Sequence, residues 1–164
     1  MSGFRFIETM RNFEKLKRDE PLILGNMAQR YFRKSFEEQG WDGEKWKEPQ
    51  RRIPGTAAYK YPKKNAEDRH NRAILVGKQT SKRQTGQHLR QSVNESLKLA
   101  TFDQILFSVP QVYAKRHNYG EDGMPQRKFL GYSPILMKSL KEIKQAGKRN
   151  IGFLLPSSAY NNST

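Results

Sequence analysis

The sequence predicts a small α+β domain, with helices packed on an antiparallel hairpin plus additional strands and a long basic arm attached. Three observations predict it. Apolar residues recur at helical spacing over 21–39 and 134–146. Between these helices, 93–99 and 105–109 alternate apolar with polar residues and are joined by Thr101-Phe102-Asp103, the pattern of two paired strands. Residues 50–88 are poor in apolar side chains, rich in Arg, Lys, Gln, Asn and Thr, and broken by Pro54-Gly55 and Pro62.

With 164 residues, one domain over 1–155 and a loose tail over 156–164 are expected. The hydrophobic fraction of 35% is low for a chain that is all core, so part of it is expected to be arm. Cysteine is absent, which excludes disulfides and thiolate metal sites and suits a reducing cytoplasm. No run approaches the roughly 18 apolar residues of a membrane span, and the N-terminus lacks the apolar core of a signal peptide. A soluble protein, made inside the cell and without membrane contact, is expected.

The net charge is +15, unevenly placed: +1 over 1–50, +9 over 51–90 and +5 over 91–164. The middle segment is an electrostatic footprint for a polyanion or an acidic partner, or equally a solvated basic loop.

A first helix is expected over 4–18, with Phe6, Met10, Phe13 and Leu16 as a narrow apolar stripe. Pro21, after the acidic Asp19 and Glu20, suits the first position of a second helix. Leu24, Met27, Ala28, Tyr31 and Phe36 form that helix's inner face, and Gly40 stops it. Asp42-Gly43 is a turn signal between Trp41 and Trp46. The two Trp read first as caps on the edge of a core and second as exposed anchors. In the arm over 50–88, Ala73–Gly77 is long enough for a short strand, and the rest reads as a segment that orders against a neighbour. Gln87–Val93 predicts a turn of helix leading into the hairpin. Ser133-Pro134 is an N-cap followed by a first-position Pro. Leu136, Leu140 and Ile143 face inward there, Gly147 ends the helix, and Ile151, Phe153 and Leu155 alternate as a last strand.

Little in the chain points to catalysis. Gly77-Lys78 lacks the preceding glycine of a phosphate loop, since Arg72 stands where it is needed. His117, Glu121 and Asp122 are the only local group of metal-ligand type, and hydrated acidic loops are the ordinary reading. Glu67 and Asp68, adjacent, do not project together as Mg²⁺ ligands on a strand or helix. No Ser or Thr stands in a nucleophile elbow. No enzyme, cofactor or metal is expected. The stretch from Gln104 to Tyr132 instead reads as a shaped contact surface: a strand ended by Pro110, a short helix placing Tyr113, Ala114 and His117 on one side, an irregular loop through Gly120, Gly123 and Pro125, then Phe129 and Leu130 returning to apolar surroundings. His117 reads as a partly buried ring near Tyr113, or as a pH-sensitive contact.

In order, FEEQGWDGEKWKEP, ILVG…TGQHLRQSV, SVPQVYAKRHNYG and PQRKFLGYS, followed by a closing helix, resemble the virion morphogenesis (tail-completion) family of Mu-like phages over 28–145. The family's pattern falls here on Gly40, Trp41, Trp46, Pro49, Thr85, Gly86, Leu89, Arg90, Ser92, Tyr113, Ala114, His117, Gly120, Pro125, Arg127, Phe129, Leu130 and Gly131. The chain departs from it by an extra residue before Leu89 and a basic insertion between Leu75 and Thr85. The resemblance implies a virion protein of the neck with a helix against an antiparallel sheet, forming rings, often hexamers, between head-side connector and tail proteins. It implies neighbour contacts by Trp41, Trp46, Tyr113, His117, Arg127 and Phe129. Arg51, Arg52, Lys63, Lys64, Lys82 and Arg83 would then face packaged DNA or an acidic ring. The alternative from composition is a non-enzymatic nucleic-acid-binding protein gripping phosphates with the same basic segment.

Overall fold

The computed structural model describes residues 3–60, 73–75 and 89–152. Among them, helices pack against two small antiparallel sheets of two strands each, an α+β arrangement. No helix among the described residues is long and apolar enough to cross a membrane.

Helix α1 (Gly3–Glu38) is one uninterrupted rod that carries Pro21 inside it. The two helices expected over 4–18 and 21–39 are therefore one. An interior proline removes one backbone bond and crowds the preceding turn, at about 3 kcal/mol. Helix α5 (Pro134–Gly152) lies alongside and offsets that cost: Ser133, just before α5, bonds near Tyr31, while Leu16 lies 3.7 Å from the Cβ position of Gly147. These contacts make the two helices antiparallel. They also explain why Gly147 does not end α5, which continues through Ile151 to Gly152; the strand expected over 151–155 is thus helical at Ile151, and 153–155 fall outside the described residues.

At its C-terminus α1 turns through Gln39 (φ 50°) into a hairpin of β1 (Gly40–Trp41) and β2 (Glu44–Lys45). The turn Asp42-Gly43 has positive φ at both residues, 52° and 88°, the primed geometry that two-residue hairpins require. Gly40 is needed for closeness: a Cβ there would stand 2.4 Å from the Glu44 carbonyl oxygen. A 3₁₀ turn (Gln50–Arg52) and helix α2 (Ala57–Lys60) follow, so the start of the expected arm is folded rather than extended. Residues 73–75, expected as a strand, form a turn, with Ile74 buried. The remainder of the arm, 61–72 and 76–88, lies outside the described residues.

Helix α3 (Leu89–Asn94) turns Val93 inward as a helical rather than a strand residue. It leads into β3 (Leu97–Ala100) and β4 (Ile105–Phe107), which pair Leu97 with Phe107 and Ala100 with Ile105 around a bulge after Leu97. This hairpin lies close on α1, where Leu97 stands 3.0 Å from the Cβ position of Gly25. Helix α4 (Val112–Tyr119) and a long loop precede α5. Ser133 caps α5 as its sequence predicts: its hydroxyl oxygen accepts the Leu136 N–H at 3.1 Å.

The core collects around the C-terminal half of α1. Phe36 meets Trp46 edge-on at 5.6 Å and Phe129 at 5.3 Å, while Phe32 stacks on Trp41 at 6.1 Å and meets Phe107 edge-on at 5.1 Å. Ala28, Ile74, Leu89, Val93, Ala114 and Leu136 complete it.

Candidate functional site

The candidate surface comprises α4 and the loop 120–132, the loop tied to Trp46 and Lys47 just after β2. Gly120 lets the chain leave α4 in the left-handed conformation (φ 73°), and the Gly120 and Glu121 N–H groups both donate to the Arg116 carbonyl. The loop then folds back on the helix. Asn118 holds it: its carboxamide oxygen accepts the Phe129 and Leu130 N–H groups at 3.0 and 3.1 Å, and its NH₂ donates to the Leu130 carbonyl at 3.0 Å. The Arg127 N–H adds a bond to the His117 carbonyl at 2.7 Å.

Two bonds tie this loop to the hairpin across some eighty residues of chain. The Trp46 indole N–H donates to the Lys128 carbonyl at 2.9 Å, and the Arg127 guanidinium donates to the Lys47 carbonyl at 3.2 Å. A third tie joins α1, the hairpin and α5, because the Asp42 carboxylate accepts from both the Tyr31 and Ser133 hydroxyls. Burial first, and the adjacent Asp42 carboxylate second, hold the Tyr31 phenol above its ordinary pKa.

The expected contact residues divide by depth. Phe129 is 1% exposed, Arg127 is 6% exposed and Trp46 is also buried, so these three shape the surface from beneath rather than offering side chains to a neighbour. Trp46 is a core cap, as its hairpin position allows. Trp41 is half-buried, lying against Tyr31 and Phe32 with the Lys128 ammonium 5.1 Å from its ring centre. Tyr113, 44% exposed, touches the half-buried His117 edge-on at 6.1 Å. On the same helix and loop, Val112, Tyr119 and Tyr132 are exposed.

The electrostatics of this site are those of a buried cation. Desolvation lowers the Arg127 guanidinium from its ordinary value, opposed by the Glu48 carboxylate. Burial, and then the Arg127 charge, lower His117, whose buried Nδ1 has no hydrogen-bond partner among the described residues. Glu121 and Asp122 are taken up by Lys115 (3.0 Å) and Arg116 (2.8 Å). Among the described residues no three His, Asp or Glu side chains gather into a metal-binding group.

Of the residues expected to meet DNA or an acidic ring, Arg52 pairs with Glu48 at 3.1 Å and donates to the Gln39 carboxamide oxygen at 3.2 Å. Arg51 donates to the Ala73 carbonyl at 3.5 Å, and the Ile74 N–H donates to Gln39 at 3.1 Å. Arg51 thus holds Ala73 to the 3₁₀ turn, while Arg52 and the Ile74 N–H meet on the Gln39 side chain just after α1. Lys63, Lys64, Lys82 and Arg83 lie outside the described residues.

Sequence reasoning missed Asn118, Asp42 as an acceptor, and Gln39. Asn118 carried a usable signal, since it stands one helical turn after the inward Ala114 and so must satisfy its amide on the buried side.

Comparison of the chain with protein-family models, with curated proteins and with solved structures found no match.

Proposed function

We propose that the protein is a non-catalytic structural component of a phage neck. It would complete the tail, or join it to the head, as a ring around the DNA channel, with six copies as the expected number. The observation that carries this reading is convergence. Residues of the resemblance pattern each fasten onto a distant part of the chain in one unit: Trp46 onto the Lys128 carbonyl, Arg127 onto the Lys47 carbonyl, and Phe129 onto Phe36. A pattern whose members lock one loop onto one hairpin is a pattern for a contact surface. The exposed Val112, Tyr113, Tyr119 and Tyr132 supply its outward face, of the aromatic kind that interfaces favour. Sister copies, head-side connector proteins and tail proteins are the partners, with packaged DNA inside the ring.

Imaging of intact particles tests this. A ring of this chain at the junction of capsid and tail is expected; its absence from that junction would overturn the reading. The charge of +9 over 51–90 favours one second reading, a nucleic-acid-binding protein. Duplex binding that weakens with salt at a log–log slope of about −0.9 per phosphate contact, by a chain that stays monomeric in solution and in particles, would establish it instead.

A further inference from the structure

A second surface, away from α4, joins three elements. On α1, Met10, Phe13 and Lys17 follow one another at helical spacing, and Phe13 is 43% exposed. Phe102, at the tip of the β3–β4 hairpin, is 52% exposed. The Lys17 ammonium lies 5.4 Å from the Phe13 ring centre and 5.5 Å from that of Phe102, and Lys144 of α5 lies 6.0 Å from the Phe102 ring. Two half-exposed rings are thus gathered around one cation and flanked by another. Among the described residues neither lysine takes part in an ion pair.

We propose that this surface docks an acidic, apolar segment of a partner protein. Exposed aromatic rings gain by being covered, at about 25 cal/mol per Å² of apolar surface removed from water. An occupant that covers them also covers Lys17 and Lys144, and a buried ammonium requires an opposite charge. The lysines already lie over the rings, so the occupant that satisfies both groups places carboxylates beside apolar side chains. A second copy paired symmetrically here would bring the same two cations against each other. A nucleic-acid strand would have to stack its bases on rings over which ammonium groups already sit. The surface is separate from the α4 rim, so its occupancy does not depend on the ring reading.

The test is fluorescence anisotropy of the full chain with a labelled peptide of about four helical turns, Leu on one face and Glu on the other. A peptide with Lys in place of Glu is the control. Saturable binding of the acidic peptide alone is expected. Phe102→Ala should weaken it about tenfold or more, and Lys17→Glu with Lys144→Glu should abolish it, all with the wild-type thermal midpoint. No saturable binding, or binding that both variants leave unchanged, overturns the proposal. It is equally overturned if the same variants instead lose binding to a single-stranded oligonucleotide, or lose self-association in sedimentation.

Discussion

The two halves of α1 have the same covalent continuity and opposite surroundings. Around Phe32 and Phe36 the helix is covered by the β1–β2 hairpin, Phe107 and Phe129, segments drawn from across the chain. Around Ile7, Met10 and Phe13 large apolar side chains face outward, and packing there falls to α5 and the β3–β4 tip. One helix therefore serves both as the spine of a core and as a projecting element. The difference teaches that burial here follows tertiary supply, not local hydrophobicity: Phe13 and Phe36 are the same residue on the same helix, and only one has partners on every side.

The comparison is tested hardest at the core end. Phe129→Ala removes a buried ring that touches Phe36, and the expected loss is about 3–5 kcal/mol in denaturant unfolding. A loss under about 1 kcal/mol would mean that this end is no better packed than the projecting one. Asn118→Ala comes next. It leaves the Phe129 and Leu130 N–H groups and the Leu130 carbonyl without their partner, with an expected loss of about 2–4 kcal/mol. Asn118→Asp should not rescue the loss, because it keeps the acceptor but buries a charge and turns its second oxygen on the Leu130 carbonyl, and urea midpoints of the two variants would show this.

A smaller effect is expected from pH. Burial and the neighbouring Arg127 charge lower the pKa of native His117 below its ordinary 6.5, and the unfolded chain restores that value. Above pH 6.5 both states hold the ring neutral and its contribution to stability is fully present. As pH falls from there through the lower native value, the unfolded state takes up the proton first and stability is lost. His117→Gln should remove this part of the slope of thermal midpoint against pH. An unchanged slope would place the acid sensitivity elsewhere.

These expectations also mark what was legible in the sequence. The α+β class, the Asp42-Gly43 turn, the β3–β4 pairing and the Ser133 cap were all encoded in local chemistry: turn residues, alternation and a capping hydroxyl. The continuity of α1 was not, because Asp19-Glu20-Pro21 is a sound helix start taken alone, and the packing that holds the helix straight through it comes from α5 and the β3–β4 hairpin, distant in sequence. Gly147 misleads for the same reason: it lies within the packed part of α5, where a Cβ would make ordinary contact with Leu16 at 3.7 Å. At the site, Trp46 as a core cap and Phe129 in apolar surroundings were legible, and both are buried; the burial of Arg127 was not, because it depends on a loop folding back onto the segment after β2. Asn118 gives a weaker signal, because asparagine in a helix ordinarily caps or faces water.

The smallest effect sharpens the contrast most. Phe13→Ala removes a ring from the projecting half of α1, where the exposed Lys17 ammonium lies 5.4 Å from its centre and water reaches nearly half of its surface. The expected change in stability is within about 0.5 kcal/mol, the range for surface positions. Phe36→Ala on the same helix should cost about 3–5 kcal/mol. Equal losses in the two variants would mean that α1 is buried along its whole length in solution, by a sister copy or by residues beyond those described. If instead Phe13→Ala is silent alone and costly once a partner is bound, the projecting half derives its worth from contact with another molecule, and its apolar stripe is an interface that the isolated chain leaves uncovered.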